Sequence, residues 1–276
     1  MHLVILLAVV AIAWRNRQVP GDQQSWDQCL TRFLFAPLLL LSSAIALVTM
    51  GTEGAMLGRP IGLWSVASYA IACAYLCYAV AVLLYRTYTA CRGLWSVQTL
   101  PQVDWQGEPA HVLAVDQPIA ARVGLWNAKL VVSQGLLKSV GEPHLSAIRH
   151  HELAHLYFQD TFWFFWLGWL RQITQWLPQS DVLWQELLLL RELRADSWAS
   201  RRTDPLVLAE ALYLVASSSS QWQSEFTASV SDRLDRLEMR IHRLLEPIAD
   251  NPSPSVLWRC ALAILPLFTI CWHSPL

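Results

Sequence analysis

The sequence predicts a mainly α-helical chain with a small β-sheet, a multi-span membrane protein carrying one larger polar region between its third and fourth spans. Three observations predict it. Of 276 residues, 54% are hydrophobic and 15% charged, with a mean hydropathy of +0.33, more apolar than an ordinary soluble domain. Uncharged runs of near-membrane length cluster in the first third of the chain. One segment alone, His111 to Leu137, carries short β-branched runs broken by turn residues. The formal net charge of −1 removes the broad positive field that nucleic-acid binding needs.

The first apolar run, residues 2–14, is followed rather than preceded by Arg15 and Arg17. A cleaved secretory signal has the opposite charge order, so a retained anchor is expected, short for a bilayer core of about 30 Å. The next two runs, residues 33–50 and 64–85, contain no charge and are long enough to cross. A fourth, at residues 257–272 within a C-terminal region 257–276, has Arg259 near one end, where its stem can snorkel to the headgroups. Residues 1–85 thus form an N-terminal membrane region. Arg15, Arg17 and Arg32 lie between the first and second spans, Arg59 alone lies between the second and third, and Arg86 and Arg92 follow the third. The positive-inside bias then places the polar region, residues 86–256, in the cytoplasm, with the 51–63 loop and both termini outside. An integral protein of the plasma or inner membrane is expected.

Cysteine usage narrows the chemistry of the polar region. The six cysteines are Cys29, Cys73, Cys77, Cys91, Cys260 and Cys271, so a cysteine nucleophile, a zinc ribbon and a disulfide scaffold are excluded between Arg92 and Arg259. Any metal there needs histidine or carboxylate ligands. Cys73 and Cys77 read as small apolar residues of a helix.

Within the polar region, Asp116, Pro118, Gly124 and Asn127 divide 111–137 into two or three short strands. Pro143 then suits the first turn of a helix reading HLSAIRHHELAHLYFQD. It contains His151-Glu152-Leu153-Ala154-His155, an HExxH pattern. The four-residue spacing puts both imidazoles on one helical face, where they can share one Zn²⁺, and Glu152 beside them can take a proton from an attacking water and pass it to a leaving amine. Average composition yields this pattern by accident in on the order of one chain of this length in a hundred, so context decides. His150 and His144 lack a partner four residues away with an adjacent glutamate and read as solvated.

A catalytic zinc needs a third protein ligand. Phe158 and Thr161 occupy the positions where a metzincin would place glycine and its third histidine, so a carboxylate is sought downstream. In DVLWQELLLLRELRADSWASRR, Glu192 and Asp196 share a helical face. Glu192 is the expected third ligand, with Asp196 an acceptor for a ligand-histidine N–H. The alternative, surface pairs of these carboxylates with Arg191, Arg194 or Arg201, stays open.

HHELAHLYFQD followed by WLPQSDVLWQELLLLRELRADSWA resembles the M56 membrane zinc endopeptidases, the protease part of the BlaR/MecR antibiotic sensors, and the related M48 group. VDQPIAARVGLWNAKLVVSQGLL is similar to the family's segment before the HExxH helix, and RIHRLL near Arg240 to its late helix. The resemblance implies a gluzincin-like HExxH zinc protease domain in which His151, His155 and Glu192 bind zinc, Glu152 is general base and acid, and Asp196 and Asp160 support the site. It also implies three spans, a cytoplasmic protease domain and a fourth span. Few residues follow Trp272, so no penicillin-binding sensor domain is expected and antibiotic sensing is not carried over. The His-Pro element that many M48 members have before the late helix is missing, so no transition-state-stabilising side chain is named.

Between the two ligand-bearing segments, residues 161–177 pack Phe162, Trp163, Phe164, Phe165, Trp166, Trp169 and Trp176 into a mostly uncharged run. This density suits an interfacial or re-entrant helix at the bilayer, the alternative being an aromatic core helix. Further on, 204–217 reads as an amphipathic helix, 217–220 as a loop and 251–255 as a linker. Residues 231–245 read as a helix with Leu234, Leu237, Ile241 and Leu244 on one face. The leading expectation is a membrane zinc metalloendopeptidase that cleaves a protein or peptide substrate near the cytoplasmic face, in regulatory proteolysis, with the substrate added as a strand to a sheet edge. The alternative is a zinc-containing membrane signalling or scaffold protein without proteolysis. A transporter would need ionisable residues within the spans, and the two strongest have none.

Overall fold

A computed structural model gives the fold, and it describes residues 25–51, 55–56, 59–60, 63–220, 227–246 and 267. The expected anchor at 2–14 and linker at 251–255 lie outside the described residues, as does the expected span at 257–272 apart from Leu267. In chain order the elements begin with α1 (Trp26–Met50), β1 (Ala55–Met56), β2 (Arg59–Pro60) and α2 (Leu63–Gln98). Four strands follow: β3 (Gln102–Trp105), β4 (Glu108–Leu113), β5 (Ala120–Val123) and β6 (Lys129–Ser133). The rest is helical: α3 (Gln134–Ser139), α4 (Glu142–Tyr157), α5 (Asp160–Ile173), α6 (Ser180–Ser200), α7 (Pro205–Ser220) and α8 (Thr227–Leu245). The described residues are mostly helical, with one small four-stranded sheet.

The chain divides into two compact units. Among the described residues, the first draws on 25–86 and 167–187 and the second on 87–166 and 188–246.

In the first unit, α1 begins seven residues before the apolar run because its start is set by capping. The Ser25 hydroxyl accepts the Gln28 N–H at 3.4 Å and Asp27 sits in the first turn. Helix α2 continues past the expected end at Tyr85 to Gln98; hydropathy marks where the apolar face stops, and nothing in RTYTACRGLWSVQ breaks a helix before the Thr99-Leu100-Pro101 step. Both helices are long and apolar enough to cross a membrane, over Trp26–Met50 and Val66–Gln98. The expected 51–63 loop contains a small antiparallel pair, β1 with β2.

The aromatic run forms α5, ending at Ile173 rather than reaching residue 177. There Thr174 turns the chain, its hydroxyl donating to the Leu170 carbonyl at 2.6 Å. Phe164, Phe165, Leu167, Leu170 and Ile173 are buried, whereas Trp163 is exposed. Within the first unit Trp169 Nε1 donates to the Ala79 carbonyl at 2.9 Å.

In the second unit the sheet has strand order β3-β4-β6-β5. Strands β3 and β4 join through Gln106-Gly107, both at positive φ (53° and 83°), the backbone of a two-residue hairpin. Asp104 Oδ1 accepts the Gly107 N–H at 2.8 Å. Strand β3 was not foreseen, because Gln102-Val103-Asp104-Trp105 alternates over four residues only and buries Trp105 alone. Strand β4 runs parallel to β6, and β5 runs antiparallel to β6 as an edge. Ser133, fully buried at the end of β6, accepts the N–H groups of Ile119 and Leu136, so one hydroxyl ties the β5 approach to the start of α3. Gly135 is obligatory there, since a Cβ would collide with the Asp116 carbonyl.

The core of this unit joins Val112, Leu130 and Val132 of the sheet to Leu145 and Ile148 of α4 and Leu208 of α7. Helix α7 is capped by Asp204, whose carboxylate accepts the Leu206 N–H at 2.9 Å. It runs on through Ser220, so the expected loop at 217–220 is helical. The Ser217 hydroxyl is satisfied by the Leu214 carbonyl at 3.1 Å.

Candidate metal centre

Helix α4 opens with Gly141 at its N-cap and Pro143 in its first turn, and it buries Leu145, Ala147, Ile148 and Ala154 on the core side. His151, Glu152 and His155 continue the Ile148 face at three-, four- and seven-residue spacing, and His151 and Glu152 are buried with it. The two Nε2 atoms face each other 3.1 Å apart, with the rings nearly perpendicular at 88°. Their outward nitrogens are taken by carboxylates, which fixes where the inner lone pairs aim. His155 Nδ1 lies 2.7 Å from Asp160 Oδ2 and His151 Nδ1 lies 2.9 Å from Asp196 Oδ1. The second contact is a close ionic approach off the ring N–H line rather than an aligned hydrogen bond.

Glu192 of α6 completes the group. Its Oε2 is 3.3 Å from His151 Nε2 and its Oε1 3.8 Å from His155 Nε2. Ligands about 2.0–2.1 Å from one tetrahedral ion are separated by about 3.3–3.4 Å. The observed spacings bracket that edge, and His151, His155 and Glu192 could hold a metal ion.

Asp160 reaches His155 because the chain reverses between α4 and α5 through Gln159, a non-glycine residue at φ 53°. That left-handed backbone costs roughly 1–2 kcal/mol, offset by the contacts it makes possible. Behind each histidine the carboxylate is itself held by an arginine. Arg194 Nη2 donates to Asp160 Oδ1 at 2.5 Å, and its guanidinium lies over the Phe158 ring. Arg240 forks onto Asp196, with Nε to Oδ2 at 2.7 Å and Nη2 to Oδ1 at 2.9 Å, and also approaches Glu192 Oε2 at 3.5 Å. Arg191 donates twice to Glu192 Oε1, at 2.6 and 2.9 Å. Of the arginines weighed as surface partners, Arg191 does pair with Glu192, while Arg194 pairs with Asp160.

These charges set the protonation state. Burial works against charging His151, yet Asp196 and Glu192 overcome it and push its pKa up to about 10. Burial likewise opposes charge on Glu192, but His151 first and then Arg240 and Arg191 hold it well below the usual carboxylate range. Asp196 is depressed against burial by Arg240 and then His151. With no ion bound, the centre therefore holds a proton on His151 between two ionised carboxylates.

The group opens on a cavity of about 630 Å³ within the second unit. Glu152 lines it, as do the small residues Ala120 and Ala121 of β5 and apolar residues such as Leu188 and Leu212. His150 is turned away, bonded to the Ser146 carbonyl at 2.8 Å, and His144 meets Glu210 at 3.0 Å. The roles of three arginines escaped the sequence reading. Arg240 carried a signal, being three residues after Leu237 and four before Leu244, a cation inside an apolar stripe. Arg194 was weighed only as a surface partner of Glu192 or Asp196 and instead holds Asp160, while Arg122 carried no signal because its partners are distant in sequence. Comparisons with family models, curated proteins and solved structures return no match.

Proposed function

We propose that this chain is an integral membrane zinc metalloendopeptidase of the M56 type. The observation that carries the reading is the difference among four carboxylates. Asp160, Asp196 and Glu192 are each held by an arginine. Glu152 lines the same cavity with no salt-bridge partner among the described residues. A carboxylate tied to a cation orients or ligates; one left untied beside a metal position is available to exchange protons.

The two-imidazole, one-carboxylate donor set matches the protein ligands of catalytic zinc and leaves one position open. A zinc ion held by His151, His155 and Glu192 would supply Lewis acidity for a peptide carbonyl and an attacking water. The chain's residues do the rest. Glu152 receives the proton of the attacking water and delivers it to the departing amine nitrogen. Asp160 and Asp196 keep the histidine Nε2 atoms aimed inward. Among the described residues strand β5 has an unpaired edge next to the cavity, where an extended peptide substrate can add as a strand.

The membrane assignment is supported by α2, whose apolar window of 2.0 mean hydropathy is only 17% buried. A soluble core helix of that hydropathy would be covered by protein; lipid contact removes the same surface from water. The polar region then faces the cytoplasm by the arginine distribution.

The test is metal content and cleavage together. Purified protein should carry about one zinc per chain, and Glu152→Gln should retain it while peptide hydrolysis falls by roughly 10²–10⁴-fold. Unchanged hydrolysis in the variant rejects the mechanism. Zinc retained without any cleavage by the wild type favours a non-proteolytic metal-bearing scaffold.

A further inference from the structure

Arg122 is a buried cation that the reaction scheme above does not use. It sits on β5, the edge strand, opposite Leu130 of β6. Its guanidinium crosses β6 to reach Glu108 at the start of β4, with Nη1 to Oε1 at 2.7 Å and Nη2 to Oε2 at 3.1 Å. The remaining Nε donates to the backbone carbonyl of Glu152 at 2.9 Å. That carbonyl already accepts a helical N–H from residue 156, so Arg122 occupies its second lone pair. One planar group thus joins three elements: the edge strand, the first residue of β4, and the turn of α4 that carries His151, Glu152 and His155.

From this arrangement we infer that Arg122 is a positioning residue that holds the β5 edge in fixed register against the catalytic turn. The inference rests on the peptidase reading, since what it positions is the strand beside which an extended substrate lies. The chemistry requires arginine. Its fork binds one carboxylate in two-point contact while Nε, in the same plane, points elsewhere; a lysine ammonium is a single compact donor centre and cannot span both partners. Glu108 neutralises the charge, so the tether adds little net field to the metal centre. Without the tether, β5 is joined to the unit by β6 pairing and apolar contact alone. The spacing between scissile bond and ion would then fluctuate, and misplacement by about 1 Å costs on the order of a hundredfold in rate.

The test uses the full chain in detergent or nanodiscs, with two variants. Arg122→Lys keeps the charge and loses the two-way contact. The double change Arg122→Met with Glu108→Gln removes both charges, so folding is not compromised by a lone buried ion. Two readouts are taken. Amide exchange over residues 120–123 and 152–156 should accelerate about tenfold in both variants, with α7 unchanged. Hydrolysis should lose about ten- to a hundredfold in kcat, with KM within twofold and zinc content unaltered. Wild-type exchange and wild-type kcat in the double variant would overturn the assignment. If the wild type hydrolyses nothing, the peptidase reading fails, and the exchange measurement alone decides whether Arg122 is the tether.

Discussion

In the ion-free protein the proton on His151 occupies the place the proposed metal would take, so metal uptake should be steeply pH-dependent. Zinc binds the neutral imidazole, so one proton leaves for each ion that enters. With the His151 pKa pushed up to about 10 by Asp196 and Glu192, apparent affinity should rise about tenfold per pH unit throughout the range below that value. From pH 7 to pH 9 the gain is about two decades, or about 2.7 kcal/mol at 1.36 kcal/mol per unit. A histidine of ordinary pKa near 6.5 is already mostly neutral at pH 7 and would add only about 0.1 decade over the same interval. The assay is zinc competition against a chelator of known proton affinity, in free-ion buffers at several pH values. A flat affinity between pH 7 and pH 9 refutes the claim that Asp196 and Glu192 trap a proton. The stability of the metal-free protein moves the opposite way. A raised histidine pKa stabilises the fold fully below about pH 6.5, and that contribution is lost as pH climbs toward 10. The depressed Glu192 and Asp196 contribute stability that is lost instead as pH falls through their own low values.

Arg240→Met should lower zinc affinity by about 10–100-fold through loss of the Asp196 anchor. It should also destabilise the protein by about 3–5 kcal/mol, because Asp196 is left charged and buried; chelator competition and thermal melting read the two effects separately, and unchanged values in both contradict the anchoring role. Gln159→Gly should be neutral or stabilising by up to about 1 kcal/mol, since it relieves a left-handed residue. Gln159→Val should cost more than about 1 kcal/mol; equal melting temperatures for the two variants would show that the turn is not strained.

How much of this was legible beforehand depended on the range of the interaction. His151, Glu152 and His155 lie within one helical turn, and a four-residue spacing specifies their common face whatever surrounds the helix. Glu192 and Asp196 were legible for the same reason, as a second short spacing, once the chemistry demanded a carboxylate ligand. Arg122 illustrates what local spacing does not carry. Its partners Glu108 and Glu152 are set by sheet order and helix packing, and neither is periodic with it. Strand β3 escaped because its Gln-Val-Asp-Trp alternation is only four residues long and buries Trp105 alone, too short a run to stand out. The helix start at Trp26 was missed because the Ser25 cap, not hydropathy, sets it, and the end at Gln98 because the chain stays helical until the Thr99-Leu100-Pro101 step.

The pairing of carboxylates with arginines also bears on what the centre was built to do. Three buried or half-buried ion pairs are a poor way to gain stability, since desolvation consumes most of the Coulombic gain and apolar packing would serve as well. Their geometry suits orientation better. Each arginine fixes a carboxylate, and each of two carboxylates fixes one imidazole, so the inner nitrogens stay 3.1 Å apart. Where no ion is bound, the proton held by His151 can bridge that same distance to the His155 ring nitrogen, so the arrangement suits one small cation, a proton or a metal, between the two imidazoles. Glu152, in the same cavity, makes no ion pair among the described residues and feels Arg240 only through its longer-range field. On the proposed reading that leaves a proton-accepting group beside the position of a divalent ion.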